Sequence, residues 1–123
     1  MTARWFATGA WLCALGVALG AFGAHGLKSR VSADMLAIWE TGTRYHLLHA
    51  LALVATGWAC ERWPGGYVGA AGWLFLAGIA LFSGSLYALA VTGVRAFGAI
   101  TPIGGLCLIA GWVCLAMAAM RGR

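Results

Sequence analysis

A chain of 123 residues has room for one compact unit, and 63% of this one is hydrophobic against 9% charged, with a mean hydropathy of +0.88. A soluble domain carries roughly a quarter charged residues, so water is excluded as the solvent for most of this surface and lipid takes its place. The net charge of +5 comes from single Lys and Arg residues scattered between Arg4 and Arg123; without a basic run or stripe, nucleic acid is not an expected partner.

The first charge-poor stretch, Trp5 to Leu27, is interrupted only by His25. At about 1.5 Å per residue it reaches about 34 Å, enough for a bilayer. A secretory signal is the competing reading, with Arg4 as its basic start and Ala21-Phe22-Gly23 as its cleavage site, but the apolar run exceeds a usual signal core. Lys28 to Arg44 is the most polar segment and belongs in or near the headgroups. There Ser32 can cap a helix whose first turn holds Asp34. The uncharged run Tyr45 to Cys60 is short for a span, so the second helix is predicted from about Ala33, which makes Glu40 and Arg44 an i, i+4 pair near one membrane face.

Glu61-Arg62-Trp63-Pro64-Gly65-Gly66 is a strong break, and a third span follows from Tyr67 to Val91. Thr92 to Ile100 reads as a turn. Thr101-Pro102 then fits the cap and first position of a last helix ending near Met120. The chain is therefore expected to be an all-α membrane protein with four transmembrane helices, about 5–27, 33–60, 67–91 and 102–120, in one domain over 1–123. Trp11-Leu12 with Gly16-Val17-Ala18-Leu19 matches Trp73-Leu74 with Gly78-Ile79-Ala80-Leu81, and Gly57-Trp58-Ala59-Cys60 echoes Gly111-Trp112-Val113-Cys114. Two duplicated helical hairpins would give this pattern, and so would chance likeness among Gly, Ala, Leu and Trp.

Helices in lipid associate by close backbone approach. Gly9, Gly16, Gly20 and Gly23 open one face of the first helix for it, with Gly84 and Gly111 as further packing positions; a narrow pore lined by glycine backbone is the alternative. His46 and His49 lie about 60° apart on a helix face shared with Trp39, Leu53, Thr56 and Gly57, while Glu40 lies roughly opposite. His25 ends the first helix on the same membrane side. Structural hydrogen bonding, a proton or solute relay, and metal or haem ligation are the three readings of the histidines. No carboxylate or Cys joins them at a diagnostic spacing, so no metal and no cofactor is assigned. Ser83, Ser85 and Tyr87, late in the third span, share a side with Thr101-Pro102 and complete a candidate polar pocket with His25, Glu40, Arg44, His46 and His49. In that pocket, His25, Glu40, Arg44 and His49 gather at one membrane face, and a histidine lies within reach of Ser85 or Tyr87. No nucleophile stands with its base. The four cysteines, Cys13, Cys60, Cys107 and Cys114, lie in or at the ends of apolar stretches as small filler.

In order, Gly20-Ala21-Phe22-Gly23-Ala24-His25-Gly26-Leu27, then Trp39, Thr41-Gly42, Tyr45-His46 and His49-Ala50-Leu51-Ala52, then Leu81 to Tyr87, then Gly98 to Gly105, form a recognisable series. It resembles the membrane family called domain of unknown function 423, also known as uncharacterised protein family 0382, with a eukaryotic relative in transmembrane protein 256. The resemblance implies a four-span protein of bacterial inner membranes without implying a reaction, and places the motifs around His25, His49, Ser83 and Pro102 in the family pattern.

The leading reading is a non-enzymatic accessory, assembly or interaction subunit, with the lipid bilayer, a second copy or another membrane protein as partner. A small oligomeric channel or carrier with a polar path near His25, His49 and Ser85 is the second. A haem- or quinone-binding electron-transfer subunit is the third. Arg4, Arg62, Arg121 and Arg123 fall on one side and Lys28, Arg30, Arg44 and Arg95 on the other; with Arg44 discounted for depth, the balance favours both termini in the cytoplasm.

Overall fold

The computed structural model describes residues 2–122; Arg123, counted above among the charges of the C-terminal side, lies outside them. Four long helices run antiparallel in sequence: α1 (Thr2–Leu27), α2 (Ala33–Arg62), α3 (Gly66–Thr92) and α4 (Thr101–Arg121), with a short 3₁₀ turn, Arg95–Ala99, leading into α4. The segments Thr2–Leu27, Gly66–Thr92 and Arg95–Arg121 are each long and apolar enough to cross a membrane. At 30 residues α2 also has the length, but its first half carries Asp34, Glu40 and Arg44. Glu40 and Arg44 are exposed outside the bundle, in the half of α2 nearer the headgroups, where long charged side chains snorkel to the interface, while its other face is the most buried surface of the molecule.

Local chemistry sets the helix ends. Ser32, extended at φ −66° and ψ 163°, accepts a hydrogen bond from the Met35 amide at 3.2 Å and starts α2 as expected. Gly65 at φ +148° and Gly93 at φ +71° occupy conformations that side chains rarely adopt, and they turn the chain before and after α3. Thr101 was expected to cap α4 and does not. The 3₁₀ turn runs directly into the helix, so Ile100 already has helical φ and ψ and its carbonyl accepts from the Ile103 and Gly104 amides. The Thr101 hydroxyl is thereby left for other partners.

Helices pair closely as α1 with α2 and α3 with α4, and α2 against α3 joins the pairs. A Cβ on Gly9 would lie 2.7 Å from both the Ala50 carbonyl oxygen and the Val54 nitrogen, and one on Gly57 would lie 2.9 Å from the Thr2 carbonyl oxygen. The α1 and α2 backbones therefore touch. Gly111 holds the Phe75 ring, 2.8 Å from where its Cβ would stand, and Gly104 packs on the α3 backbone at Leu81 and Phe82. Gly16 and Gly23 also face α2, but Gly20 and Gly84 do not serve as expected: a side chain at either would meet nothing within 4 Å. Spacing explains the first case, since seven residues return a helix to nearly the same face whereas Gly20, four from Gly16, is rotated about 40° away.

Two stretches are wound as π-helix, the last turn of α1 at Gly23–Leu27 and the middle of α3 at Ile79–Ser83. The second coincides with the place where Gly104 of α4 and Gly42 of α2 both approach α3. Such widened turns recur where side chains must be re-aimed.

Candidate functional site

The inward face of α2 carries Trp39, Gly42, Thr43, His46, His49, Leu53, Thr56 and Gly57 at spacings of three and four, all buried. Polar groups at this depth need partners, because neither lipid nor the bundle core supplies them. The Trp39 indole Nε1–H donates to the Leu19 carbonyl at 2.9 Å. His46 bonds the Leu12 carbonyl through Nε2 at 2.8 Å and the Tyr87 hydroxyl through Nδ1 at 2.8 Å. A carbonyl only accepts, so Nε2 carries the hydrogen, and in the neutral ring Nδ1 accepts the hydrogen bond of the Tyr87 phenol, which donates.

Both α1 acceptors follow one rule. Leu12 precedes Gly16 by four residues and Leu19 precedes Gly23 by four. In a helix the side chain four residues on would cover that carbonyl, and glycine leaves it open. The Gly16 Cβ position is 3.3 Å from the His46 ring, and that of Gly23 is 2.6 Å from the Trp39 ring. Gly42 brings α3 close in a different way. Its Cβ position is 2.9 Å from the Tyr87 ring, and its own carbonyl accepts the Ser83 hydroxyl at 2.7 Å.

His49 is the mirror case. Its Nδ1–H donates to the Tyr45 carbonyl one turn back at 2.7 Å, and its Nε2 accepts the Trp112 indole N–H of α4 at 3.0 Å. The two imidazoles are thus neutral in opposite tautomers, with all four ring nitrogens engaged. Ser85 bonds Thr101 at 2.6 Å, tying α3 to the start of α4, and also reaches the Phe82 carbonyl at 2.9 Å.

Of the residues selected from sequence, the structure brings His46, Tyr87 and Ser83 together where α1, α2 and α3 meet, pairs Ser85 with Thr101, and sets His49 apart with Trp112. The expected gathering of His25, Glu40, Arg44 and His49 is not found. His25, Glu40 and Arg44 are exposed, whereas His49 is 3% exposed. Nine residues separate Glu40 from His49, a drop of about 14 Å along the helix. The sequence reading missed Trp112 as a partner and the Leu12 and Leu19 carbonyls. The recurrence of Leu followed four residues later by Gly, seven residues apart, is the signal that would have found the carbonyls. Trp5 is the exception to the pairing, with a buried indole N–H that finds no partner among the described residues.

An apolar four-helix bundle whose inward polar side chains bond one another and exposed backbone defines an all-α integral membrane protein. The chain belongs to the family described as protein of unknown function (DUF423), whose model matches residues 19–105. It is 48% identical to UPF0382 membrane protein YwdK of Bacillus subtilis over 87% of this chain and 88% of that one. It is 45% identical to UPF0382 membrane protein SSP2132 of Staphylococcus saprophyticus, covering 92% and 93%, and 46% identical to UPF0382 membrane protein SERP0230 of Staphylococcus epidermidis, covering 92% of each. No solved structure matches the chain.

Proposed function

We propose that this protein is a non-enzymatic accessory, assembly or interaction subunit of a bacterial inner membrane, with both termini in the cytoplasm. The observation that carries the reading is that His46 and His49 each use both ring nitrogens inside the chain. A relay, a metal or a haem would have to take an imidazole away from a partner already in place, leaving a buried group unsatisfied. The outer face of α1 supports the interaction half of the reading. Ala3, Ala7, Ala10, Ala14 and Ala21 are exposed there at helical spacing, and small residues let another helix approach closely.

The test is a photocrosslinker at Ala14 in living cells together with the size of the protein purified in mild detergent. A specific crosslink to a second copy or another membrane protein is expected. A lone monomer in detergent with no captured partner would overturn the reading. For the orientation, a C-terminal reporter should be active in the cytoplasm, and activity only outside it would reverse that part.

A further inference from the structure

The face opposite the His46 junction holds a groove of about 450 Å³ between α2 and α4, walled by Tyr45, Leu48, Phe82, Ile109 and Trp112 with His49 at its floor. Its rim is open at membrane depth, Leu48 being 52% and Ile109 62% exposed. Gly105 keeps one wall low, since a Cβ there would meet only the Phe82 ring, at 3.7 Å.

We infer that this groove holds one acyl chain of an anionic phospholipid, whose phosphate is met by Arg44. The floor dictates an apolar occupant, because His49 and Trp112 satisfy each other and offer no free donor or acceptor. The rim dictates the sign of the head. Arg44 is exposed one turn above Leu48 and about 40° round the helix from it, on the lipid-facing side of that rim residue, so its long side chain stands outside the groove and reaches over its rim towards the headgroups. Glu40 lies a further 40° away from the groove on the same helix and does not neutralise the site from within it. Tyr45, 38% exposed, lays its ring against Phe82 and His49 in the groove wall.

Lipid binding to the purified protein is measured by native mass spectrometry with phosphatidylglycerol and phosphatidylcholine of identical chains. The wild type should prefer phosphatidylglycerol about fivefold, the affinity that one surface cation adds for an anionic lipid. Arg44→Gln should abolish the preference, and Gly105→Leu, which fills the groove, should weaken both lipids about fivefold or more. A phosphatidylglycerol with a photoreactive group in its chain should crosslink the wild type at Leu48 or Ile109, which reads the site without any variant. Equal binding of the two lipids by the wild type, a preference that survives Arg44→Gln, or crosslinks confined to other faces would overturn the inference. So would a groove occupied by a second copy, seen as a protein–protein crosslink from Ile109 in place of the lipid one.

Discussion

Replacing Gly9 by alanine tests the claim that the α1 and α2 backbones touch. The new Cβ would stand 2.7 Å from the Ala50 carbonyl oxygen and from the Val54 nitrogen. Neither is a side-chain atom, so no rotamer change relieves the clash. Non-bonded heavy atoms settle at about 3.5 Å, so the helices must part by about 0.8 Å locally, and a gap of that order forfeits a quarter to a half of each contact along the seam. Overpacking of this kind costs about 1–3 kcal/mol. The Gly9 site belongs at the top of that range, because the seam also carries the bond from His46 to the Leu12 carbonyl. Gly20→Ala is the internal control. It adds the same methyl to the same helix with nothing within 4 Å, so it should be neutral or stabilise by at most about 1 kcal/mol through helix propensity. Reversible unfolding in mixed micelles, followed by circular dichroism, reads both. Equal stability of the two variants would refute the close approach.

A double-mutant cycle of His46→Phe with Tyr87→Phe should give a coupling of about 0.6 to 1.7 kcal/mol, the range found for hydrogen bonds within membranes; a value of zero would mean the two rings are not bonded. Selective ¹⁵N-histidine spectra should show His46 protonated at Nε2 and His49 at Nδ1, and finding both in the same tautomer would contradict the partner assignment. Trp112→Phe removes the donor to His49 and should destabilise by about 1 kcal/mol or more, whereas His25→Ala, on an exposed position, should stay within about 0.5 kcal/mol of the wild type. Unfolding midpoints compare this pair, and the reverse order would count against the placement of both histidines.

The helices were legible because their signals are local. Uncharged length marks α1, α3 and α4, Ser32 with Asp34 marks the start of α2, and Pro64 with paired glycine marks the turn before α3. Which polar residues turn inward was legible only where one helix face carried them, as with Trp39, His46 and His49. Tyr87 was anticipated as within reach of a histidine, but the other partners were hidden for a physical reason: two are backbone carbonyls, which every residue has, and what distinguishes Leu12 and Leu19 is the absence of a side chain four residues later. Trp112 was hidden differently. An interfacial or lipid-facing indole and one that reaches into a bundle have the same sequence signature, and only the position of α4 against α2 separates them. The expected cluster of charged residues with His49 failed because nearness in sequence was read as nearness in depth, and a helix moves its residues apart by about 1.5 Å each.

The role of α2 follows from these contacts. It is the least apolar of the four helices, yet all three others pack against it. In lipid there is no hydrophobic force between helices, so association depends on close packing and on hydrogen bonds. Trp39 and His46 bind α1, His46 and the Gly42 carbonyl bind α3, and His49 binds α4. The bonds to α1 and α3 need a neighbour close enough to reach, and the glycines at positions 16, 23 and 42 provide that closeness. Polar residues and glycines are therefore two halves of one device, because a glycine without the donor would leave only a gap and a donor without the glycine would leave a buried group unpaired. On this account Gly16→Ala and His46→Phe should each weaken the same α1–α2 contact, and their combined effect should fall short of the sum of the two; strict additivity would show that the glycine and the imidazole act independently.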